Sequence, residues 1–407
     1  MEFTFNSFLR STTATTTTAL VVFFILLLMI KKRRQWRSSS PVVVKRILTG
    51  TMGWPIIGET LDFISCGYTD RPQSFMDKRR IRYGKVFKSH LFGSPTIVST
   101  DAEVSRIVLQ SDANSFVPSY PKSLTELMGE SSILRINGSL HRRIHGLIGS
   151  FFKSSYLKAQ VTSDMRKLVL QAMAAWKEDR PVYIQDETKH IAFQVLVKAL
   201  IGLDPGEYME FLRIQFQHFI AGLMSLPVKL PGTQLHRSLQ AKKKMVKLVL
   251  KIIADKRRHG VPVSYDPKDV ADVLLNDKDS VPLLITLAIK YLSDCPKALH
   301  QLKEENLELK RRKKDLGGVM CWDDYLSLPF TQNVITETLR LGNIIMGVIR
   351  KAMKDVEVKG YLIPKGWCVL THFRSVHLDD NHHEFPHQFN PWRWQVIKHA
   401  TSATVNY

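Results

Sequence analysis

The alternation of apolar and polar positions predicts a mainly helical chain with a few short strands. Helical spacing, with apolar residues three or four positions apart, recurs in residues 165–203, 236–257, 298–314 and 330–341. Two short runs on either side of Gly93, Val86–Leu91 and Pro95–Ser99, predict a β-hairpin. A second hairpin is predicted between residues 355 and 366. The expected fold class is mainly α with a small β-region near the N-terminus, where the first hairpin lies.

The most informative of these helices is the one predicted for Phe330–Leu341. Four apolar residues lie on one face that we expect to be buried: Phe330, Val334, Ile335 and Leu339. Glu337 and Arg340 lie three positions apart and therefore project from one side of the helix. Alone, this pair is weak evidence, because an exposed ion pair on a helix surface explains it equally well.

The N-terminal stretch has the pattern of a membrane anchor. Residues 11–30 carry no charge, residues 19–30 are continuously apolar, and a basic flank follows from Lys31. The positive-inside rule keeps such a flank cytoplasmic, so we expect an uncleaved transmembrane helix with the rest of the chain in the cytosol. The predicted organisation is an anchor in residues 1–30, a basic and proline-rich linker in 31–52, and one domain in 53–407.

The charge balance of the chain narrows the classes of partner. The sequence has 58 basic and 37 acidic residues, for a net charge of +21. We expect no nucleic acid partner, because the basic residues are scattered and form no recognised nucleic-acid motif. An anionic membrane surface or an acidic protein partner accounts for the charge equally well. The four cysteines have no C-x-x-C spacing, which favours a reducing compartment and no bound metal.

A second motif makes the Glu337–Arg340 pair stronger evidence. The sequence F-N-P-W-R-W, residues 389–394, follows E-T-L-R, residues 337–340. In this order and spacing, the two motifs resemble the K-helix and the F-x-P-x-R-[FW] segment of the cytochrome P-450 haem-thiolate monooxygenases. The resemblance extends over Gly50–Gln395 and implies the mostly helical fold of that family. It also implies a buried triad of Glu337, Arg340 and Arg393 beneath the haem.

The same resemblance implies a haem b cofactor and residues that hold its propionates. His141 matches the ring residue of the family's W/H-x-x-x-R pattern, Arg142 follows it, and His145 stands where the family more often has arginine. Arg350 matches a further propionate-binding position. The alternatives are a solvated basic helix start at His141–His145 and a surface charge at Arg350.

The sequence departs from the family pattern in two places. Asp279-Ser280 resembles the end of the acid–alcohol pair that delivers protons to dioxygen, but most of the preceding apolar helix is missing, and a helix-capping turn explains the two residues as well. After Trp394 the sequence has no F-x-x-G-x-R-x-C-x-G, whose cysteine would ligate the iron. We therefore expect no metal ligand, a fold without its C-terminal part, and an inactive chain.

One further stretch narrows the implied function. Leu230–Lys244 (LPGTQLHRSLQAKKK) resembles plant members of the family that act on steroids of brassinosteroid biosynthesis. The implied activity is hydroxylation of a steroid side chain, of the C-23 type, with dioxygen and electrons from an NADPH-cytochrome reductase at the endoplasmic reticulum membrane. Two alternatives stay open. One is another plant terpenoid or sterol monooxygenase, and the other is a catalytically silent, membrane-anchored isoform acting through reductase competition or dimerisation.

Overall fold

The computed structural model describes residues 48–129, 154–259 and 280–395, apart from positions 55, 56, 68, 224, 226, 227 and 316, and also residues 142, 143, 146 and 149. The predicted membrane anchor and most of the linker lie outside these residues. No helix in the described part of the chain is long and apolar enough to cross a bilayer.

Thirteen helices are found in the described residues. In chain order they are α1 Thr60–Cys66, α2 Ser74–Tyr83, α3 Ala102–Gln110, α4 Lys122–Met128, α5 Ser155–Ala174, α6 Ile184–Ile201, α7 Glu207–Ile220, α8 Gln234–Arg258, α9 Ser280–Asp294, α10 Pro296–Asp315, α11 Trp322–Leu326, α12 Pro329–Gly342 and α13 Phe373–His377. The continuous helical spacing predicted over residues 165–203 is divided between α5 and α6.

The strands form one larger sheet and one hairpin. They are β1 Val86–Leu91, β2 Ser94–Ser99, β3 Phe116–Pro118, β4 Gly347–Ala352, β5 Val356–Val358, β6 Tyr361–Ile363 and β7 Cys368–His372. The five-stranded sheet has the order β1-β2-β7-β4-β3, and only the β2–β7 pair in it is parallel. The expectation of a β-region near the N-terminus is therefore only partly right, because β4 and β7 come from the C-terminal third of the chain.

Helix α12 is held at both ends by interactions that define its limits. Pro329 occupies the first turn, where a missing N–H costs nothing. The carboxylate of Glu305, on α10, accepts hydrogen bonds from the backbone N–H groups of Phe330 at 2.7 Å and Thr331 at 2.8 Å. This anion at the N-terminus satisfies two donors that the helix itself leaves free. At the other end Asn343 adopts the left-handed conformation, with φ of 45°.

The core next to α12 joins the helical part of the molecule to the segment that follows the sheet. Phe330 and Val334 are buried together with Leu292 of α9 and pack against Trp392. The prediction for the apolar face of α12 is wrong at one position, because Leu339 is 45% exposed. Glu337 and Arg340 are buried, as the resemblance to the haem-thiolate family implies, and the alternative of an exposed ion pair does not apply.

Candidate functional site

The three charged side chains singled out in the sequence meet in the structure. Glu337 is fully buried, and its two carboxylate oxygens accept hydrogen bonds from Arg340 at 2.8 and 2.9 Å. Arg393, on the segment that follows the sheet, also donates to Glu337 Oε1, at 3.1 Å. The bidentate geometry is the strongest form of carboxylate–guanidinium pairing, so the buried carboxylate is well compensated.

The two guanidinium groups also bind the backbone of the segment between α13 and Arg393. Arg340 donates to the carbonyls of His377 at 2.8 Å and Pro386 at 2.7 Å. Arg393 donates to the carbonyl of Glu384 at 2.8 Å. Residues 377–388 contain no strand and no long helix, so these bonds replace the backbone pairing that regular structure would provide. The triad therefore fixes an irregular segment against α12.

Hydrogen bonds that Glu337 accepts from its neighbours keep its carboxylate ionised. Burial by itself would raise the pKa of Glu337, but the hydrogen bonds from Arg340 and from the backbone N–H of Asn390 outweigh burial. The charges of Arg340 and Arg393 act in the same direction, so the pKa of Glu337 is lowered.

Sequence reasoning missed two anchors of the same region. The indole of Trp394 donates to Glu337 Oε2 at 3.0 Å, which makes this residue a fourth partner of the triad. Asp379 is buried and pairs with Lys85 at 3.1 Å and Arg80 at 3.4 Å. Nothing in the local sequence indicates the second contact, because its partners lie nearly 300 positions apart in the chain.

The remaining predicted site residues are not gathered into one site by the described structure. His141, His145 and Asp279 lie outside the described residues. Arg142 is exposed in a helical position, and Ser280 is the first residue of α9. Arg350 lies on β4 and is half-buried. Burial raises the pKa of Tyr120, and the charge of Arg350 opposes that rise.

Whether a cysteine could ligate a haem held by Arg350 depends on the sheet faces from which the two side chains project. Arg350 pairs with Val369 across the β4–β7 ladder, and Lys351 pairs with Cys368. Directly paired residues point to one face of a sheet and successive residues to opposite faces, so Cys368 and Arg350 project from opposite faces. The Cys368 thiol is buried and lies 3.7 Å from the hydroxyl of Ser119.

The other three cysteines lie in or next to helices. Cys66 is the last residue of α1, and its sulfur lies 3.3 Å from the hydroxyl of Ser74. Cys295 packs beside Leu292, and Cys321 is exposed at the start of α11. Of the four cysteines, Cys368 is the buried one, and its sheet face does not fit a thiolate-ligated haem that is also held by Arg350.

Comparison with known families establishes the family membership that the triad suggests. Residues 49–284 and 280–406 match the model of the cytochrome P450 family. The chain belongs to the cytochrome P450 family. The family consists of haem-thiolate monooxygenases, and its match to this chain is divided at residues 280–284, where α9 begins.

Curated relatives of the chain are plant enzymes. The 3-epi-6-deoxocathasterone 23-monooxygenase CYP90D1 of Arabidopsis thaliana is 59% identical over 87% of this chain and 77% of its own length. Cytochrome P450 90D2 of Oryza sativa subsp. japonica is 58% identical over 86% of this chain and 76% of its own length. The 3-epi-6-deoxocathasterone 23-monooxygenase CYP90C1 of Arabidopsis thaliana is 49% identical over 88% of this chain and 73% of its own length.

A solved structure of the same fold is also found. The retinoic acid-bound cyanobacterial CYP120A1 superposes with a TM-score of 0.74, covering 86% of this chain and 82% of that chain. The two sequences are 22% identical, so this likeness concerns the fold alone.

Proposed function

We propose that this chain belongs to the steroid-hydroxylating members of brassinosteroid biosynthesis, with the side-chain carbon C-23 as the position of attack. The observation that carries the proposal is the 59% and 49% identity to two 23-monooxygenases, each over more than 85% of this chain. The buried Glu337–Arg340–Arg393 triad supports the family membership on which the proposal rests, because it is the arrangement that the family motifs imply.

The 407-residue chain itself is proposed to be catalytically impaired. A haem-thiolate enzyme depends on a cysteine thiolate that pushes electron density onto the iron. None of the four cysteines of this sequence stands in the family's F-x-x-G-x-R-x-C-x-G pattern, and the buried Cys368 projects from the sheet face opposite to that of Arg350. Oxygen chemistry therefore requires a ligand that these residues do not provide.

We further propose an endoplasmic reticulum membrane location and an NADPH-cytochrome reductase as redox partner. Two large apolar side chains directly after the predicted linker support membrane proximity, because Trp54 is 80% and Leu61 62% exposed. The net charge of +21 favours both an anionic lipid surface and an acidic partner.

The proposal is tested in microsomes that contain the full chain and a plant NADPH-cytochrome reductase. We expect no Soret band of thiolate-ligated iron in the reduced, carbon monoxide-bound difference spectrum, and no hydroxylated product from 3-epi-6-deoxocathasterone. A thiolate-type band from the 407-residue chain would contradict the proposed impairment.

A second chain tests the substrate class separately. The parts of the Arabidopsis 23-monooxygenase CYP90D1 that have no counterpart in this chain are added. We expect this chain to hydroxylate the steroid at C-23. A band without steroid hydroxylation would reject the steroid assignment and favour another terpenoid substrate.

The catalytically silent isoform is the second candidate. It is favoured because Cys368 and Arg350 project from opposite faces of the sheet. It predicts that the chain lowers the turnover of an intact relative when reductase is limiting. Excess reductase would restore that turnover if the two proteins compete for it.

A further inference from the structure

A histidine lies at each end of helix α13, and its ring nitrogens are enclosed by protein. His372, the last residue of β7, is the N-cap of this helix and is 3% exposed. His377 is the last residue of the helix, and the Nδ1 atom of its ring is buried. The atoms around each ring nitrogen therefore decide which protonation state the folded segment 372–377 accepts.

The ring of His372 fits the fold only when its Nδ1 atom carries no proton. This atom accepts a hydrogen bond from the backbone N–H of Ser375 at 3.3 Å, and the hydroxyl of Ser375 lies 2.8 Å from it. Both nitrogens of an imidazolium are donors, so protonation removes the acceptor that caps α13. Proton uptake at His372 thus acts directly on the start of the helix.

The ring of His377 also has no place for a second proton. Its Nδ1 atom has no hydrogen-bond partner among the described residues. A positively charged ring would bury an N–H donor there without an acceptor, which is costly. The guanidinium of Arg340 donates to the carbonyl of His377 at 2.8 Å. Burial, and then the charge of Arg340, lowers the pKa of His377.

The groups that face the two rings are mostly cationic. Arg374, on α13 itself, acts with His377 on the ring of His372. Arg340 faces His377 from α12, and His383 faces it from the irregular segment that follows. A proton added to either ring is therefore repelled by a neighbouring cation.

The carboxylates of this region are already engaged with other cations. Glu337 is bound by the triad, and Asp379 pairs with two basic residues of the N-terminal region. On α2, Asp77 faces the charges of Arg80 and Arg374. These three carboxylates are thus held by other partners when the segment is folded.

The segment 372–377 connects two distant parts of the molecule. Arg374 donates to Oε1 of Gln73, the N-cap of α2, at 3.0 Å. The carbonyl of His377 binds Arg340 of α12, as described above. Opening of the segment would break both contacts at once.

We propose that the segment 372–377 is an acid-sensitive contact, which opens locally when both of its histidines take up protons. At neutral pH the two rings are uncharged, and the segment stays folded against α2 and α12. In acid the open form is favoured, because it gives both imidazolium ions access to water. The contact thus distinguishes a neutral compartment, where it is closed, from an acidic one, where it opens. This device is independent of the steroid chemistry.

The proposal is tested by amide hydrogen exchange of the full chain in lipid nanodiscs, at pH 7 and pH 5. Rates are corrected for the pH dependence of intrinsic exchange, and residues 373–379 are the reporter peptide. His372, whose pKa falls from 6.5 to about 4, should by itself increase the opening of this peptide about twentyfold at pH 5. The β1–β2 hairpin should show no such increase, because the opening is local.

The number of protons taken up distinguishes two histidines from one. It is the slope of the logarithm of the opening constant against pH. One titrating group cannot take up more than one proton for each opening. We expect more than one between pH 6 and pH 5, because His372 and His377 both contribute. This result requires only wild-type protein.

Matched variants assign the protons to the two rings. His372→Asn retains a capping acceptor without titrating, and His377→Phe retains the ring contact with Phe373, whose centroid lies 6.2 Å away. The double variant should exchange like wild type at pH 7 and lose the increase at pH 5. His382→Asn, at an exposed position of the next segment, is the control and should keep the wild-type response.

The proposal is overturned if residues 373–379 of wild type exchange no faster at pH 5, or if no more than one proton is taken up for each opening. It is also overturned if the double variant keeps the acid response. An equal increase in the β1–β2 hairpin would indicate global unfolding and would equally reject a local opening.

Discussion

Trp394 donates its indole N–H to Glu337 Oε2 at 3.0 Å, across 57 positions of sequence. With Arg340, Arg393 and the backbone N–H of Asn390, it completes a set of donors around one fully buried carboxylate. The carboxylate therefore joins helix α12 to the last described segment of the chain. Loss of any one partner leaves the others buried with unused hydrogen-bonding capacity.

Replacing Glu337 with Gln should destabilise the protein by about 3–5 kcal/mol. The substitution removes the negative charge that compensates the buried Arg340 and the largely buried Arg393. The free energy of unfolding from urea titration measures the loss. Glu308→Gln is the matched control, because Glu308 pairs with Arg312 at an exposed site, and about 0.5 kcal/mol or less is expected there. Equal losses for both variants would show that the triad does not stabilise the fold.

Acid should weaken the contact between Asp379 and the N-terminal region in a defined pH range. Burial alone would raise the pKa of Asp379, but the backbone N–H of Asn381 and the charge of Lys85 outweigh it and lower the pKa to about 2. A lowered carboxyl pKa stabilises the folded state above the unfolded value of 3.8, and that contribution is lost as pH falls from about 4 to about 2.

The size of this effect is about 2 kcal/mol, from a shift of nearly two pKa units. The difference in unfolding free energy between wild type and Asp379→Asn should therefore shrink between pH 4 and pH 2. A difference that stays constant over this range would rule out the ionised pair as its source.

His372 should act in a separate and higher pH range. Burial, with the charges of Arg374 and His377, lowers its pKa from 6.5 to about 4. The unfolded chain then binds the proton more readily, so stability is complete above about pH 6.5 and falls as pH decreases towards 4, by about 3 kcal/mol.

His372→Asn tests this assignment. The His372 ring accepts a hydrogen bond from the N–H of Ser375 at the start of α13, and asparagine retains a capping acceptor without titrating. The pH dependence of unfolding between 6.5 and 4 should become about 3 kcal/mol shallower in this variant. An unchanged slope would assign the titration to another group.

The two ends of the predicted apolar face of α12 should respond differently to truncation. Phe330→Ala should cost about 3–5 kcal/mol, because Phe330 is buried against Trp392 at a ring distance of 5.6 Å. Leu339→Ala should change stability by about 0.5 kcal/mol or less, because Leu339 is 45% exposed. Thermal or urea unfolding measures both, and a large loss at Leu339 would mean that another surface covers it.

Local patterns in the sequence were sufficient for several of the longer helices. The period of apolar residues places α8, α10 and α12 within a few positions, since it reflects which helix face is buried. The resemblance of the two charged motifs around Glu337 and Arg393 to the cytochrome P450 family implied a buried pairing before any distance was known, and a buried carboxylate needs such cationic partners.

Contacts between distant segments required the tertiary structure. The parallel pairing of β2 with β7 joins Thr96 to Cys368, and the carboxylate of Asp379 reaches Lys85. The opposite orientations of Cys368 and Arg350 follow from the β4–β7 register, which neither strand specifies alone. The spacing of apolar residues along the chain reflects which side of each helix or strand is buried. Strand register and long-range ion pairs depend instead on which surfaces meet after the chain has folded.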